Sequence, residues 1–173
     1  RALINQPKIL FADEPTASLD IASARIILEL FKKLNHELDQ TIVMVTSSYP
    51  RFPGDAIATF MEPIATGIAS RGHEVHLVAP WHPQWQRGAS EGHVRFHLFR
   101  YAPLPGLNVF GYAAALRADV GLRVQAIAVA PLALLAGWHR VRRVARDARA
   151  SVVHAHWVIP GGVMGAAAAG SRP

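Results

Sequence analysis

The 173 residues of this chain include 18 Lys and Arg, 12 Asp and Glu and no cysteine, with a formal net charge of +6. A hydrophobic fraction of 51% excludes a wholly disordered chain and is sufficient for a buried core. The lack of cysteine excludes disulfide bonds, thiolate zinc sites and cysteine nucleophiles. The longest apolar run, residues 124–138, is shorter than the ~20 residues of a membrane-spanning helix, and Pro131 interrupts it.

The first three predicted elements are a strand, a helix and a strand. The apolar residues 8–12 follow Pro7 and precede an acidic turn, which indicates a short buried strand. In residues 21–38, apolar residues recur at helical spacing, so this segment is predicted to be an amphipathic helix. Residues 41–46 are β-branched and apolar at their centre and form the next predicted strand.

The rest of the chain continues the alternation of strands and helices. A loop over 47–55 precedes a helix that begins near Phe60, turns Phe60, Ile64 and Ile68 inward and ends at Gly72. The later predicted elements are strands at 75–79, 94–98 and 151–155, and helices at 111–116, at 126–149 with a break near Pro131 or Gly137, and from 161 onward. This order predicts an α/β fold, a doubly wound, Rossmann-like parallel sheet, with an extra amino-terminal strand and helix.

Basic residues divide the chain into two parts. All three lysines, Lys8, Lys32 and Lys33, lie in the first 33 residues, whereas residues 49–173 contain 13 arginines and no lysine. Exposed surfaces usually tolerate both residue types, so we interpret the change as a join between sequences of different origin. We place this join within residues 41–48.

The segment PKILFADEPTASLD, Pro7 to Asp20, resembles the Walker B strand and D-loop of an ABC transporter ATPase, and the resemblance covers about residues 1–46. It implies that Asp13 holds Mg²⁺, that Glu14 polarises the attacking water, and that Ser18 and Asp20 belong to a D-loop. No glycine precedes Gly54 to form a phosphate-binding loop, and no Gly-Lys pair occurs in the chain. We therefore expect these residues not to hydrolyse ATP, and Asp13 and Glu14 to be vestigial.

Three other stretches together resemble the amino-terminal domain of a family 4, GT-B type glycosyltransferase: VTSSYPRFPGD (45–55), ASRGHEVHLVAP (69–80) and VVHAHWVIPGG (152–162). The resemblance covers about residues 44–173. It implies that His156, beside Trp157, contacts the transferred sugar. Substrate binding is expected at the loops that follow the strands, through Gly54, Asp55, Trp157, Gly161 and Gly162. His154 is expected to be a core histidine with its hydrogen bonds satisfied.

The main functional expectation is the acceptor-side domain, residues 41–173, of a retaining glycosyltransferase that ends before a nucleotide-sugar domain and is inactive alone. We expect no cofactor in this fragment; the parent families use a nucleotide-sugar and Mg-ATP. Two alternatives stay open, a fragment of an ABC transporter ATP-binding subunit and a non-catalytic interaction module.

The expected partners are a sugar or lipid-linked acceptor. Arg142, Arg143, Arg146 and Arg149 are predicted to share one helix face, which either rests on an anionic membrane or is solvated. Nucleic acid fits poorly, because the aromatic residues are not interleaved with the basic ones. The expected location is the cytoplasm, with a possible peripheral position at the inner face of the membrane.

Overall fold

The computed structural model of this chain describes residues 41–112, 116–117, 121–122 and 124–169. The strand predicted at 8–12 and the helix predicted at 21–38 lie outside these residues. Seven strands are present in the described ranges: β1 (Ile42–Val45), β2 (Val75–Pro80), β3 (Ser90–Glu91), β4 (Val94–Phe99), β5 (Leu116–Arg117), β6 (Gly121–Leu122) and β7 (Val152–Ala155). Three α-helices accompany them: α1 (Met61–Ala69), α2 (Val124–Asp147) and α3 (Val163–Ala169).

Five strands form one sheet in the order β3-β4-β2-β1-β7, and β5 and β6 form a separate antiparallel pair. The pairs β4–β2, β2–β1 and β1–β7 are parallel, and only the short β3 runs antiparallel to its neighbour. Ile42 is in register with Val75 on one side and with Val152 on the other. This mostly parallel sheet with helices on both faces confirms the predicted α/β fold.

The core lies on both faces of the sheet because alternate residues of each strand point in opposite directions. On one face, Met61 and Ala65 of α1 pack against Met44 and Leu77. On the other face, Val141 of α2 and other residues of α2 and α3 pack against the second set of strand residues. The central strand β1 is therefore apolar and buried at every position, as expected for a strand that is covered on both sides.

Helix α1 begins one residue later than predicted, and this changes the role of Phe60. The buried stripe of the helix is Met61, Ala65 and Ala69, whereas the side chain of Phe60 is 46% exposed. The prediction that Phe60 points into the core is therefore wrong, because Phe60 precedes the first residue of the buried stripe. Gly72 ends the segment as predicted, with a φ of +91° that favours glycine.

Helix α2 is continuous from Val124 to Asp147, so the predicted break near Pro131 or Gly137 is wrong. Gly137 serves close helix packing instead. A Cβ atom at this position would lie 2.3 Å from Sδ of Met164 in α3 and 3.1 Å from Cζ of Phe99. The glycine therefore lets α3 and the sheet approach the backbone of α2.

The helix predicted over 111–116 is also wrong at the residues of this segment that the structure describes, 111, 112 and 116. Gly111 and Tyr112 both have positive φ angles, +96° and +56°, and Leu116 lies in strand β5. Tyr112 is buried, and its N–H donates to the carbonyl oxygen of Ser47 at 3.3 Å. This tertiary contact overrides the helical preference of the alanine-rich sequence.

The final helix, predicted to begin at Gly161, begins at Val163 after a π-helical turn, Val158–Gly162. Among the described residues, none of the helices combines the length and the apolar character that crossing a membrane requires.

Candidate functional site

The order of the strands reverses between β1 and β7. The chain moves from β1 outward through β2 to β4, and it then returns to the other side of β1 to form β7. In open α/β sheets, ligands bind beyond the carboxyl ends of the strands at such a point. The loops that follow β1 and β7 contain all the site residues that the sequence predicted in this domain, namely Gly54, Asp55, His156, Trp157, Gly161 and Gly162.

The loop after β1 is built around a salt bridge between Arg51 and Asp55. Oδ2 of Asp55 lies 2.6 Å from Nε of Arg51 and also accepts the N–H of Arg51 at 2.9 Å, while Oδ1 accepts the N–H of Ile57 at 3.2 Å. The bonded guanidinium of Arg51 holds the pKa of the Asp55 carboxyl well below its usual range, despite the opposing effect of burial. Both oxygens of Asp55 are thus engaged within the loop, and the residue shapes it.

Gly54 lies at the exposed tip of the same loop. Its φ is +84°, and no atom lies within 4 Å of the position that a Cβ would take. The glycine is therefore required by the turn conformation, and space remains beside its backbone.

Trp157 follows β7 in a backbone conformation that is costly for a residue with a side chain. Its φ is +68°, and its side chain is 45% exposed. The neighbouring His156 is buried, and its N–H donates to the carbonyl oxygen of Val45 at 2.7 Å, which joins the ends of β7 and β1. The ring of Phe60 lies 6.3 Å from that of His156. This edge therefore has a buried histidine with the exposed ring of Phe60 near it and the exposed Trp157 next to it in the chain.

His154 differs from the satisfied core histidine that the sequence predicted. Its Nε2 is buried and has no hydrogen-bond partner among the described residues. Burial lowers its pKa to about 3, and the nearby imidazole of His156, whose ring centroid is 4.3 Å away, acts in the same direction. His154 is therefore uncharged at neutral pH.

The two glycines after Trp157 shape the chain. A Cβ on Gly161 would lie 2.3 Å from the carbonyl oxygen of His156, so only glycine fits there. The N–H of Gly162 donates to the carbonyl oxygen of Trp157 at 2.8 Å and closes the π-helical turn. The amide of Gly162 is therefore engaged within this turn, and substrate binding at Gly161 and Gly162 stays a prediction.

Sequence reasoning missed a buried arginine that holds the loop after β1. Arg87 donates from Nε to the carbonyl oxygen of Pro50 at 2.8 Å and forms salt bridges with Glu62 and Glu91 at 2.8 and 2.5 Å. Its guanidinium also lies 5.3 Å from the ring centroid of Tyr49. No local motif marks Arg87, because two of its partners, Pro50 and Glu62, come from distant parts of the chain. Phe60 was missed as a site residue for the same reason.

The four arginines near the end of α2 do not form one stripe. Arg142 lies over the ring of Trp138 at 5.5 Å, and Arg143 pairs with Asp147 at 3.6 Å. Arg146 is exposed on the helix, whereas Arg149 lies beyond its end with a φ of +50°. The prediction that Arg149 shares the helix face is therefore wrong.

Asp13 and Glu14, the predicted Mg²⁺ ligand and catalytic base, lie outside the described residues. Within the ranges that the structure covers, no group of three or more His, Cys, Asp or Glu side chains is arranged to hold a metal ion.

Comparison with known proteins finds similarity over part of the chain. A lipoprotein-releasing system ATP-binding protein of Chlorobium chlorochromatii is 56% identical over 46 residues, which are 27% of this chain and 19% of that protein. A macrolide export ATP-binding/permease protein of Syntrophobacter fumaroxidans is 54% identical over 46 residues, 6% of its length. An uncharacterised ABC transporter ATP-binding protein of Thermotoga maritima is 42% identical over 73 residues, which are 42% of this chain and 31% of that protein.

A segment of this chain is similar to ABC transporter ATP-binding proteins. The matched length of 46 residues equals that of the segment for which the motif at Pro7 to Asp20 predicts this relationship. The chain spans less than a third of the length of each of these relatives. No family model matches the chain, and no solved structure matches it. The comparisons thus support the ABC part of the prediction and give no support for the glycosyltransferase part.

Proposed function

We propose that the segment around Asp13 and Glu14 is a fragment of an ABC transporter ATP-binding subunit. The observation that carries this proposal is the 56% identity over 46 residues to a protein of that class. In this segment Asp13 is the Mg²⁺ ligand of the parent machine and Glu14 its general base. Both carboxylates act on phosphates that a glycine-rich loop presents, and residues 1–53 contain no glycine.

Titration of Mg-ATP into the full chain, followed by calorimetry, tests this part of the proposal. We expect no binding at millimolar nucleotide, and the same result for Glu14→Gln. An intact ABC transporter ATP-binding subunit serves as the positive control. Saturable binding that the Glu14→Gln substitution alters would contradict the proposal that the carboxylates are vestigial.

For the α/β domain we propose a second function, binding of a sugar acceptor in the manner of the amino-terminal half of a GT-B glycosyltransferase. The strand reversal between β1 and β7 supports this proposal, because it places the loops of Gly54 and His156 side by side. The exposed side chains of Trp157 and Phe60 can offer aromatic faces to the apolar side of a sugar ring, and the ring of Phe60 lies 6.3 Å from that of the buried His156. Sugar transfer itself would need a nucleotide-sugar site beyond these residues.

Tryptophan fluorescence tests acceptor binding, with octyl β-D-glucopyranoside below its micelle concentration as a soluble sugar on an alkyl chain. We expect a saturable change in emission that is lost in Trp157→Phe and weakened in Phe60→Ala. Trp138→Phe is the matched control, because Trp138 lies on α2 and packs against the core on the face opposite to α1, and it should keep the response. An identical response from all three variants and the unaltered chain would contradict the proposal.

We further propose that helix α2 rests on an anionic membrane. Its exposed side chains include Ile127, Leu132 and Leu135 toward the amino end and Arg143 and Arg146 toward the carboxyl end. Apolar and basic residues exposed on one helix suit a lipid surface with anionic headgroups, such as the inner leaflet.

Cosedimentation with phosphatidylglycerol vesicles tests this proposal. The fraction of protein that sediments with the vesicles should fall in the double variant Arg143→Glu/Arg146→Glu. Equal sedimentation with phosphatidylcholine vesicles would contradict the electrostatic part of this proposal.

A further inference from the structure

His82 follows the end of β2, at the same carboxyl edge of the sheet as the loop after β1. The loops after β1 and β2 are bonded to each other. The N–H of Gln86 donates to the carbonyl oxygen of Arg51 at 2.9 Å, and Nη1 of Arg51 donates to Oε1 of Gln84. Because Asp55 holds Arg51 in turn, the segment that carries His82 is joined to the loop that forms one side of the candidate site.

The ring of His82 is held by two contacts. Its Nδ1 accepts the N–H of Gln84 at 3.1 Å, and the ring centroid lies 4.7 Å from that of Tyr112. Tyr112 is itself buried, and its hydroxyl donates to the carbonyl oxygen of Pro80 at 3.3 Å. The orientation of the imidazole is therefore fixed by the protein before any ligand arrives, which reduces the entropy that binding would cost.

The same contacts determine the proton on His82. A neutral imidazole that accepts a hydrogen bond at Nδ1 carries its proton on Nε2. Burial lowers the pKa of His82 and Arg51 acts in the same direction, whereas Asp55 opposes them. The ring is thus uncharged at neutral pH, with Nε2–H as a donor. In the part of the chain that the structure describes, no residue accepts from Nε2, and the ring is only half-buried.

Resting on the sugar-binding function proposed above, we infer that Nε2–H of His82 donates a hydrogen bond to a hydroxyl oxygen of the sugar acceptor. Trp157 and Phe60 recognise the apolar side of the sugar ring, and His82 adds a polar contact from the loop after β2. In this tautomer Nε2 has no lone pair, so His82 cannot take the proton of that hydroxyl. It is a binding residue that selects a sugar with a hydroxyl group at this position.

NMR of the histidine rings tests this inference through long-range correlations between their carbon-bound protons and ring nitrogens in the full chain. The probe is octyl β-D-glucopyranoside below its micelle concentration. We expect the ring of His82 to be protonated at Nε2 in the free chain, and its Nε2 signal to shift saturably in parallel with the emission of Trp157. The ring of His93 is the internal control and should not shift, because it is exposed ahead of β4 at the opposite edge of the sheet.

The variant His82→Phe tests the energy of the contact, since it keeps an aromatic ring beside Tyr112 and removes both nitrogens. We expect the glucoside concentration at half-maximal Trp157 emission to rise about fivefold, the effect of losing one hydrogen bond between uncharged groups, with the amplitude at saturation unchanged. His93→Phe is the matched control and should leave that concentration unchanged. Amide spectra of both variants show whether the domain is folded.

The outcomes separate this inference from the proposed function. A saturable Trp157 response without a shift of the His82 ring signals, or with an unchanged midpoint in a folded His82→Phe, would overturn the role of His82 and leave sugar binding standing. A ring protonated at Nδ1 alone would also overturn it, because Nε2 could not donate. An unaltered chain with no Trp157 response would overturn the proposed sugar binding and this inference with it.

Discussion

At the scale of single residues, Trp157 is held in the left-handed backbone region at the carboxyl end of β7. A side chain in this region costs on the order of 1–3 kcal/mol, and such strain is found where a side chain must be presented to a ligand. We expect Trp157→Gly to raise the free energy of unfolding by about 1 kcal/mol in urea denaturation while abolishing the fluorescence response to the glucoside. Trp157→Phe keeps the strain and should leave stability near that of the unaltered chain. A loss of stability in the glycine variant would show that Trp157 is retained for packing.

Asp55 has a structural role that a substitution can measure. We expect Asp55→Asn to lower the free energy of unfolding by about 2 kcal/mol, because the salt bridge to Arg51 is lost in a buried loop. The pKa of Asp55 is lowered in the folded state, so its contribution is present above its ordinary pKa of 3.8 and is lost as the pH falls below that value. Denaturation of both proteins at pH 7 and at pH 3 should show the difference shrinking at the lower pH. An equal difference at both values would contradict this role.

Two histidines have lowered pKa values in the folded chain, and we therefore expect a loss of stability at moderately acid pH. Burial lowers the pKa of His97 from 6.5 to about 4, and the facing His76 acts in the same direction, since its Nδ1 lies 2.9 Å from Nε2 of His97. Burial also lowers the pKa of His154, to about 3. The unfolded chain binds these protons near pH 6.5 and the folded chain does not, so stability falls as the pH drops from 6.5 toward 4. Arg140 and Arg95 also face His97 and oppose its protonation, whereas Glu74 favours it.

We expect the free energy of unfolding at pH 5 to be about 2–4 kcal/mol lower than at pH 7.5. The double variant His97→Gln/His154→Gln should show a flatter dependence over this range, whatever its absolute stability. Urea denaturation at a series of pH values measures both slopes. Parallel curves for the two proteins would contradict the assignment of the effect to these histidines.

At the scale of elements, the sequence predicts the strands well and the connections poorly. The bounds of β1, β2, β4 and β7 agree with the predictions within one or two residues, because β1, β2 and β7 are mainly apolar runs and β4 alternates between apolar and polar residues. The continuity of α2 could not be predicted, since a proline and a glycine inside a helical segment usually interrupt it. The need for a glycine at position 137 becomes clear only from its close packing against Met164. The same holds for Tyr112, whose buried contact with the loop after β1 replaces a helix that local composition favours.

The placement of the candidate site residues could be predicted in part for the same physical reason. The loops that follow parallel strands lie at one edge of the sheet, so the positions of Gly54, His156 and Trp157 at that edge follow from the strand pattern, whereas their roles in binding stay predictions. The bonding within those loops could not, because the partners of Asp55 and Gly162 depend on backbone conformations that leave no mark in the sequence. Phe60 and Arg87 reach the site region through tertiary packing alone.

The π-helical turn after β7 gives a prediction at this scale. We expect Gly161→Ala to lower the free energy of unfolding by about 1–3 kcal/mol, because the added Cβ would lie 2.3 Å from the carbonyl oxygen of His156. Gly106→Ala is the matched control, because no atom lies within 4 Å of the position of its Cβ, and it should be nearly neutral. Thermal denaturation compares the two variants. Equal effects would show that the close approach at Gly161 can relax.

At the scale of the whole molecule, the chain combines two parts whose compositions differ. One part is similar to ABC transporter ATP-binding proteins over 46 residues, and the described domain is an α/β sheet with its strand reversal between β1 and β7. We propose that the two parts meet at β1, whose sequence suits either a strand of the ATPase or the centre of this sheet. A buried parallel strand requires little beyond apolar, β-branched residues, which explains how one strand can serve both.

The central claim is that the carboxyl ends of β1 and β7 form the ligand site of this domain. Chemical-shift mapping of the full chain by NMR, during titration with octyl β-D-glucopyranoside, tests it most directly. The account predicts shifts that concentrate in residues 51–57 and 156–162 and saturate together with the change in Trp157 fluorescence. Shifts that concentrate instead on the exposed apolar residues Ile127, Leu132 and Leu135 of α2 would contradict it, because the alkyl chain alone would then account for binding.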